Sequence, residues 1–121
     1  MTHLERLRIR PDFLAAAKGE KKSMPGLVLQ ARDNTNHNHI RYGLTASKKV
    51  GNAVARNRVR RRLRVAAEQI LPNAGRRGFD YVLIGRQATL VRSFRDLLKD
   101  LETALKRIHD APQVNISSNS D

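Results

Sequence analysis

Gly43-Leu44-Thr45-Ala46-Ser47-Lys48-Lys49-Val50-Gly51-Asn52-Ala53-Val54-Ala55-Arg56-Asn57-Arg58-Val59-Arg60-Arg61-Arg62-Leu63-Arg64 holds the transition on which the fold turns. The apolar period changes partway along it. Ile40, Tyr42, Leu44 and Ala46 alternate with Arg41, Thr45 and Ser47, the period of two expected of a half-buried strand. After Asn52 the spacing lengthens. Ala55, Val59, Leu63, Ala66 and Ile70 recur at steps of four, four, three and four, which makes one apolar stripe along a helix. Asn57, Arg58, Arg60, Arg61 and Arg64 fall on the opposite half. Asn52 is placed to cap the helix, since its side-chain oxygen can accept from a free N–H of the first turn. Pro72 and the Asn73-Ala74-Gly75 turn are expected to stop it. A strand therefore feeds, through Lys48-Lys49-Val50-Gly51, a long helix with one apolar and one basic side.

Working outward, Pro11 to Lys18 reads as a first helix. Proline suits a first turn because its missing N–H would be unpaired there, and Asp12 complements the positive helix start. Phe13 and Ala17 lie four apart, on one face, and Gly19 is expected to close the helix in a left-handed cap. Leu27-Val28-Leu29-Gln30-Ala31-Arg32 reads as a strand, with a weak edge strand over Glu20 to Met24. The Asn-rich stretch Asp33 to His39 is a loop, and the strands on either side of it are expected to pair as antiparallel neighbours. Phe79 to Gly85 is a buried strand. Ser93 with Asp96 forms a capping pair for a third helix to His109, whose apolar face is Leu97, Leu98, Leu101, Ala104, Leu105 and Ile108. Alternating elements with one-sided apolar faces predict a single sheet packed by helices. Residues 1–110 read as one domain, and the Ser/Asn-rich stretch 111–121 as a disordered tail.

The chain has 121 residues, 24 Lys+Arg against 11 Asp+Glu, a net charge of +13 and no cysteine. Disulfides, thiolate metal sites and a cysteine nucleophile are thereby excluded. No apolar run is long enough to span a bilayer, and the basic start lacks the apolar stretch of a secretory signal. The Asn115-Ile116-Ser117 acceptor pattern therefore has no context for glycosylation. Paired carboxylates and phosphate-cradling glycine motifs are missing, and no residue stands out as a catalytic acid, base or nucleophile. His37 and His39 are a close pair in a polar loop with no third ligand nearby, a pattern that reads as solvated loop rather than metal site.

The positive charge is concentrated. No acid occurs between Asp33 and Glu68, whereas Arg41, Lys48, Lys49, Arg56, Arg58, Arg60, Arg61, Arg62 and Arg64 all fall there. A solvated helix face would mix the signs. A helix start offers free N–H groups to phosphate oxygens, and arginine forks suit phosphate. Nucleic acid is the expected partner. Aromatic residues make up only 4% of the chain, so broad base stacking is not available. Backbone and shape contacts of the kind made to structured RNA are favoured. A membrane surface fits worse, because the helix stripe is Ala, Val and Ile rather than bulky aromatics.

The run Lys48-Lys49-Val50-Gly51-Asn52-Ala53-Val54-Ala55-Arg56-Asn57-Arg58 resembles the signature of the bacterial ribonuclease P protein family. Arg6-Leu7-Arg8 with Asp12-Phe13, and Phe79-Asp80-Tyr81-Val82-Leu83-Ile84-Gly85-Arg86, resemble its flanks. The resemblance covers about Leu4 to Ile108. It implies an α+β fold with a four-stranded sheet packed by three helices, in the order α-β-β-β-α-β-α, with a left-handed βαβ crossover (ribosomal protein S5 domain 2-like). It also implies a protein subunit that binds the catalytic RNA of ribonuclease P and assists removal of the 5′ leader of precursor tRNA. The chemistry would be carried by the RNA, with no catalytic residue in the protein and Mg2+ held mainly by RNA. One protein per RNA, a cytoplasmic setting and no membrane contact are implied as well. By position in the motif, Lys48, Lys49, Asn52, Arg56, Asn57, Arg58 and Arg61 would bind the catalytic RNA. Phe13, Ala17, Val28, Gln30, Arg60 and Arg64 would meet the leader. Ala17 and Gln30 stand where the family often has further aromatics. A stacked base contributes about 1–3 kcal/mol, so leader binding is expected to lean on Arg60 and Arg64 and to be salt-dependent.

Overall fold

The computed structural model describes residues 4–110. Along them run β1 (Leu4–Arg6), α1 (Arg10–Ala17), β2 (Glu20–Ser23), β3 (Leu27–Asp33), β4 (Ile40–Thr45), α2 (Ala53–Ala74), β5 (Phe79–Gly85), α3 (Gln87–Val91) and α4 (Phe94–His109). A single 3-10 turn, Lys48–Val50, joins β4 to α2.

The strands form one mixed sheet in the order β1-β4-β5-β3-β2. β4 runs parallel to β5, with Tyr42 opposite Tyr81. β1 is parallel to β4, while β3 is antiparallel to β5 and to β2. Alternation along the strands sorts the side chains into two faces. Leu27, Leu29 and Ala31 of β3, Ile40 and Tyr42 of β4, and Tyr81 and Leu83 of β5 enter the main core. There they meet Val59, Leu63, Ala66, Ala67 and Leu71 of α2, and Leu97, Leu101, Ala104, Leu105 and Ile108 of α4. The other face is covered by α1, where Leu7, Ala16 and Val82 make a small cluster with Phe13 and Ile84 against it. The molecule is thus three layers, α1, sheet, then α2 with α4.

The helix ends follow local chemistry. Asn52 Oδ1 accepts from the Ala55 N–H at 2.9 Å, and Ser93 Oγ accepts from the Asp96 N–H at 3.1 Å. Each bond satisfies a first-turn donor that the helix itself cannot.

Several expectations are corrected. The sheet has five strands rather than four, because Leu4–Arg6 adds a short parallel edge. Among the described residues there are four helices rather than three, because the short α3 precedes α4. The strands flanking the Asn-rich loop do not pair. β5 lies between them, since α2 returns the chain parallel to β4 and the apolar run of β5 favours the sheet centre. The long helix passes Pro72 and ends at Ala74. A proline in the last turn forfeits one bond, while the Gly75 N–H still donates to the Leu71 carbonyl at 2.8 Å and buried Leu71 keeps the end packed. Gly19 is not a left-handed cap. Lys18 closes α1 at φ −89° and ψ −5°, and Gly19 is required by closeness, as a Cβ there would lie 2.1 Å from the Ala31 carbonyl oxygen. The Ser/Asn-rich tail and the Asn115 pattern lie outside the described residues.

Candidate nucleic-acid interface

The turn between β4 and α2 is held at several points. Ser47 Oγ accepts from the Lys49 N–H at 3.3 Å. The side-chain amide of Gln87 donates to the Lys49 carbonyl at 2.9 Å. Gly51 takes φ +147°, a conformation that L side chains rarely adopt, and Arg56 Nη1 donates back to its carbonyl at 3.1 Å. Lys48, Lys49, Asn52, Asn57, Arg58, Arg61 and Arg64 are exposed, while Arg56 and Arg60 are half-buried. Arg60 Nη1 donates to Asn57 Oδ1 at 3.0 Å, which leaves the Asn57 amide free to donate outward.

This basic face is rigid because the opposite one is docked tightly. Val59 and Leu63 are fully buried. A Cβ on Gly85 would sit 2.2 Å from Val59 Cγ1, so glycine at the end of β5 lets α2 approach the sheet. The first acid on the helix, Glu68, lies beyond the arginines and accepts from the Tyr42 hydroxyl at 3.4 Å. Arg56, Arg60 and Arg64, spaced by four, share one row.

Arg62 leaves the cluster. Its Nη1 donates to the Leu90 carbonyl at 3.4 Å and its Nη2 to the Arg92 carbonyl. Its side chain thus ties α2 to the link between α3 and α4. Arg92 in turn pairs with Asp100, Nε to Oδ2 at 2.6 Å, and Asp100 accepts from the Gly26 N–H at 2.9 Å. Helical position already separates Arg62 from Arg60 and Arg61, since it borders the apolar stripe of Val59, Leu63 and Ala66 rather than the basic half.

The expected leader residues divide between the two sides of the sheet. Phe13, half-buried, packs where a Cβ on Gly43 would meet its ring at 2.5 Å. Val28 and Gln30 lie opposite Ile84 and Val82, on the same sheet face as α1, and exposed Ala17 lies one turn beyond Phe13. Arg60 and Arg64 belong to α2, across the sheet. The structure does not bring them into one group with Phe13.

Beneath α1 lies a polar centre that sequence reading passed over. Asp80 is fully buried. It accepts from Arg41 Nε at 2.8 Å and Nη2 at 2.9 Å, and from Asn34 Nδ2 at 3.0 Å. His37 Nε2 lies 2.8 Å from it, and Arg32 approaches at 3.8 Å. Burial alone would raise its pKa, but the bonds from Arg41, Asn34 and His37 outweigh burial and hold it at about 2. The available signal was an aspartate inside an apolar strand, which demands a buried partner. The His37–His39 pair belongs here as well. The rings stack at 6.2 Å, and His39 Nε2 lies 3.6 Å from Glu5. Among the described residues no three His, Cys, Asp or Glu side chains are grouped so as to hold a metal ion, and no helix is long and apolar enough to cross a membrane.

Fold and surface together define a small α+β protein that presents an acid-free cationic helix face to a polyanion. The Ribonuclease P family model matches residues 1–109. The ribonuclease P protein component of Ruegeria pomeroyi is 53% identical over 106 residues, covering 85% of each chain. That of Paramagnetospirillum magneticum is 50% identical over 110 residues, covering 87% of this chain and 83% of its own. Among solved structures, the RNase P protein from Thermotoga maritima superposes with a TM-score of 0.69 at 31% identity, covering 85% of this chain and 96% of its own. The Staphylococcus aureus RNase P protein gives 0.72 at 28%, with 85% and 94% covered. The chain belongs to the ribonuclease P protein family. It is a protein component of the ribonucleoprotein that matures tRNA 5′ ends.

Proposed function

We propose that the start of α2 anchors the catalytic RNA of ribonuclease P, and that the sheet face beside α1 receives the 5′ leader of precursor tRNA. The observation that carries this reading is the acid-free row of cations on a helix whose other side is buried in the core through Val59, Leu63, Ala66, Ala67 and Leu71. Lys48, Lys49, Asn52, Arg56, Asn57, Arg58 and Arg61 contact RNA phosphates and 2′-hydroxyls. Phe13, Ala17, Val28 and Gln30 line the leader face. Arg60 and Arg64, on the far side of the sheet, meet the leader only where it leaves that face, or else join the RNA anchor. The protein supplies fixed positive charge where RNA strands converge, which lowers the magnesium needed to hold them together. Mg2+ itself is bound mainly by RNA, and hydrolysis is the RNA's chemistry. One protein binds each RNA, in the cytoplasm and away from membranes. The β4–α2–β5 crossover is left-handed.

Affinity for ribonuclease P RNA, measured across a salt series, tests the anchor. Arg58→Ala and Arg61→Ala should each weaken binding and flatten the log–log salt slope by about one. Unchanged slopes in both would overturn the assignment.

A further inference from the structure

We propose that Arg41 and Asp12 are positioning residues that fix α1, and hence Phe13, above the leader face. The inference rests on the leader reading above but concerns residues with no place in it. Three observations carry it. First, α1 is weakly held. It has eight residues, no side-chain cap at Ile9 and one buried residue, Ala16. Second, Arg41 is clamped on fully buried Asp80 through two bonds of 2.8 and 2.9 Å, and its Nη2 also reaches Asp12 Oδ1 at 3.5 Å. One guanidinium thus bridges the centre of the sheet to the first turn of α1. Third, the next side chain of α1 is Phe13, which packs on Gly43, two residues beyond Arg41 and on the same face of β4. Two consecutive contacts, Arg41 with Asp12 and Gly43 with Phe13, therefore set where the helix lies across β4. Glycine at 43 leaves room for the ring, and the ion pair sets its height and tilt. The width of the leader face follows from a rigid reference, since Asn34 and His37 also bond Asp80 and stop the clamp from swinging.

The test uses holoenzyme reconstituted with wild-type, Asp12→Asn or Asp12→Glu protein, and precursor tRNA with or without a leader. The readout is the gain in affinity that the leader confers. Asp12→Asn should cut that gain about fivefold, the scale of a partly exposed ion pair. KM for leader-bearing substrate should rise with kcat unchanged, leaderless binding should stay constant, and Asp12→Glu should restore part of the loss. Electrostatics alone predicts the opposite sign, because removing an acid from the leader face would strengthen leader binding. A gain equal to or above wild type in Asp12→Asn overturns the proposal. Absence of any leader-dependent gain in the wild type would instead overturn the leader reading.

Discussion

Arg61 and Arg62 are neighbours of the same type with opposite surroundings. Arg61 is exposed, whereas Arg62 is spent on the carbonyls of Leu90 and Arg92. Arg62→Met should therefore lower thermal stability, by about 1–3 kcal/mol for carbonyls left without their donor, and leave the salt slope of RNA binding intact. Arg61→Ala should do the reverse, and paired thermal melts and salt titrations of both variants distinguish them. Asp80 gives a second residue-scale expectation. Its folded pKa of about 2 lies below the ordinary 3.8, so its charged form stabilises the fold above the ordinary value. That contribution, about 2 kcal/mol, is lost as pH falls from about 4 through 2. An acid melt should show this loss, and Asp80→Asn, already destabilised by taking from Arg41 its buried anion and leaving it only the more distant Asp12, should lack the step. Neither role could be read from residue type. The helical period of α2 leaves Arg62 at the border of the apolar stripe, off the basic half, but the carbonyls it bonds there belong to α3 and the link after it, an element the apolar period did not reveal.

At the scale of elements, α2 was legible because it is long and its stripe is regular, and α4 because Ser93 and six apolar positions agree. β1 and α3 were not. Each spans too few residues for a period to register, and each is held by tertiary partners, β1 by β4 and α3 by the Thr89 hydroxyl, which donates to the Gly26 carbonyl at 2.6 Å. The end of α2 was misjudged because a proline reads as a stop wherever it stands, although in a last turn its cost is small. Two variants test how α2 is set. Asn52→Ala removes the cap and should cost about 1 kcal/mol. Gly85→Ala places a methyl into Val59 and should cost about 1–3 kcal/mol while shifting the helix away from β5. Denaturant melts measure both, and RNA affinity should fall more in Gly85→Ala, where the cationic row itself moves.

For the whole molecule, the layered class followed from alternation of elements, but the strand order did not. Antiparallel pairing of β3 with β4 was the local choice, and the central place of β5 is decided by its burial on both faces and by the return of α2. The same arrangement separates the two surfaces that the proposed function needs. The cationic row of α2 rides on one side of the sheet and Phe13 on the other, so under the proposed function an RNA and a leader are held at once without either displacing the other. A net charge of +13 suits a protein that works between two polyanions. Under the proposed function, this protein lets a catalytic RNA release the tRNA leader when magnesium is scarce. The most direct measurement is 5′-leader release from a precursor tRNA at low magnesium by ribonuclease P RNA, with wild-type protein or with Arg56→Ala/Arg58→Ala. The predicted result is cleavage at the mature 5′ end that requires both RNA and wild-type protein, is lost in the double variant, and returns for RNA alone at high magnesium. Protein that adds nothing to an RNA active at high magnesium would contradict it.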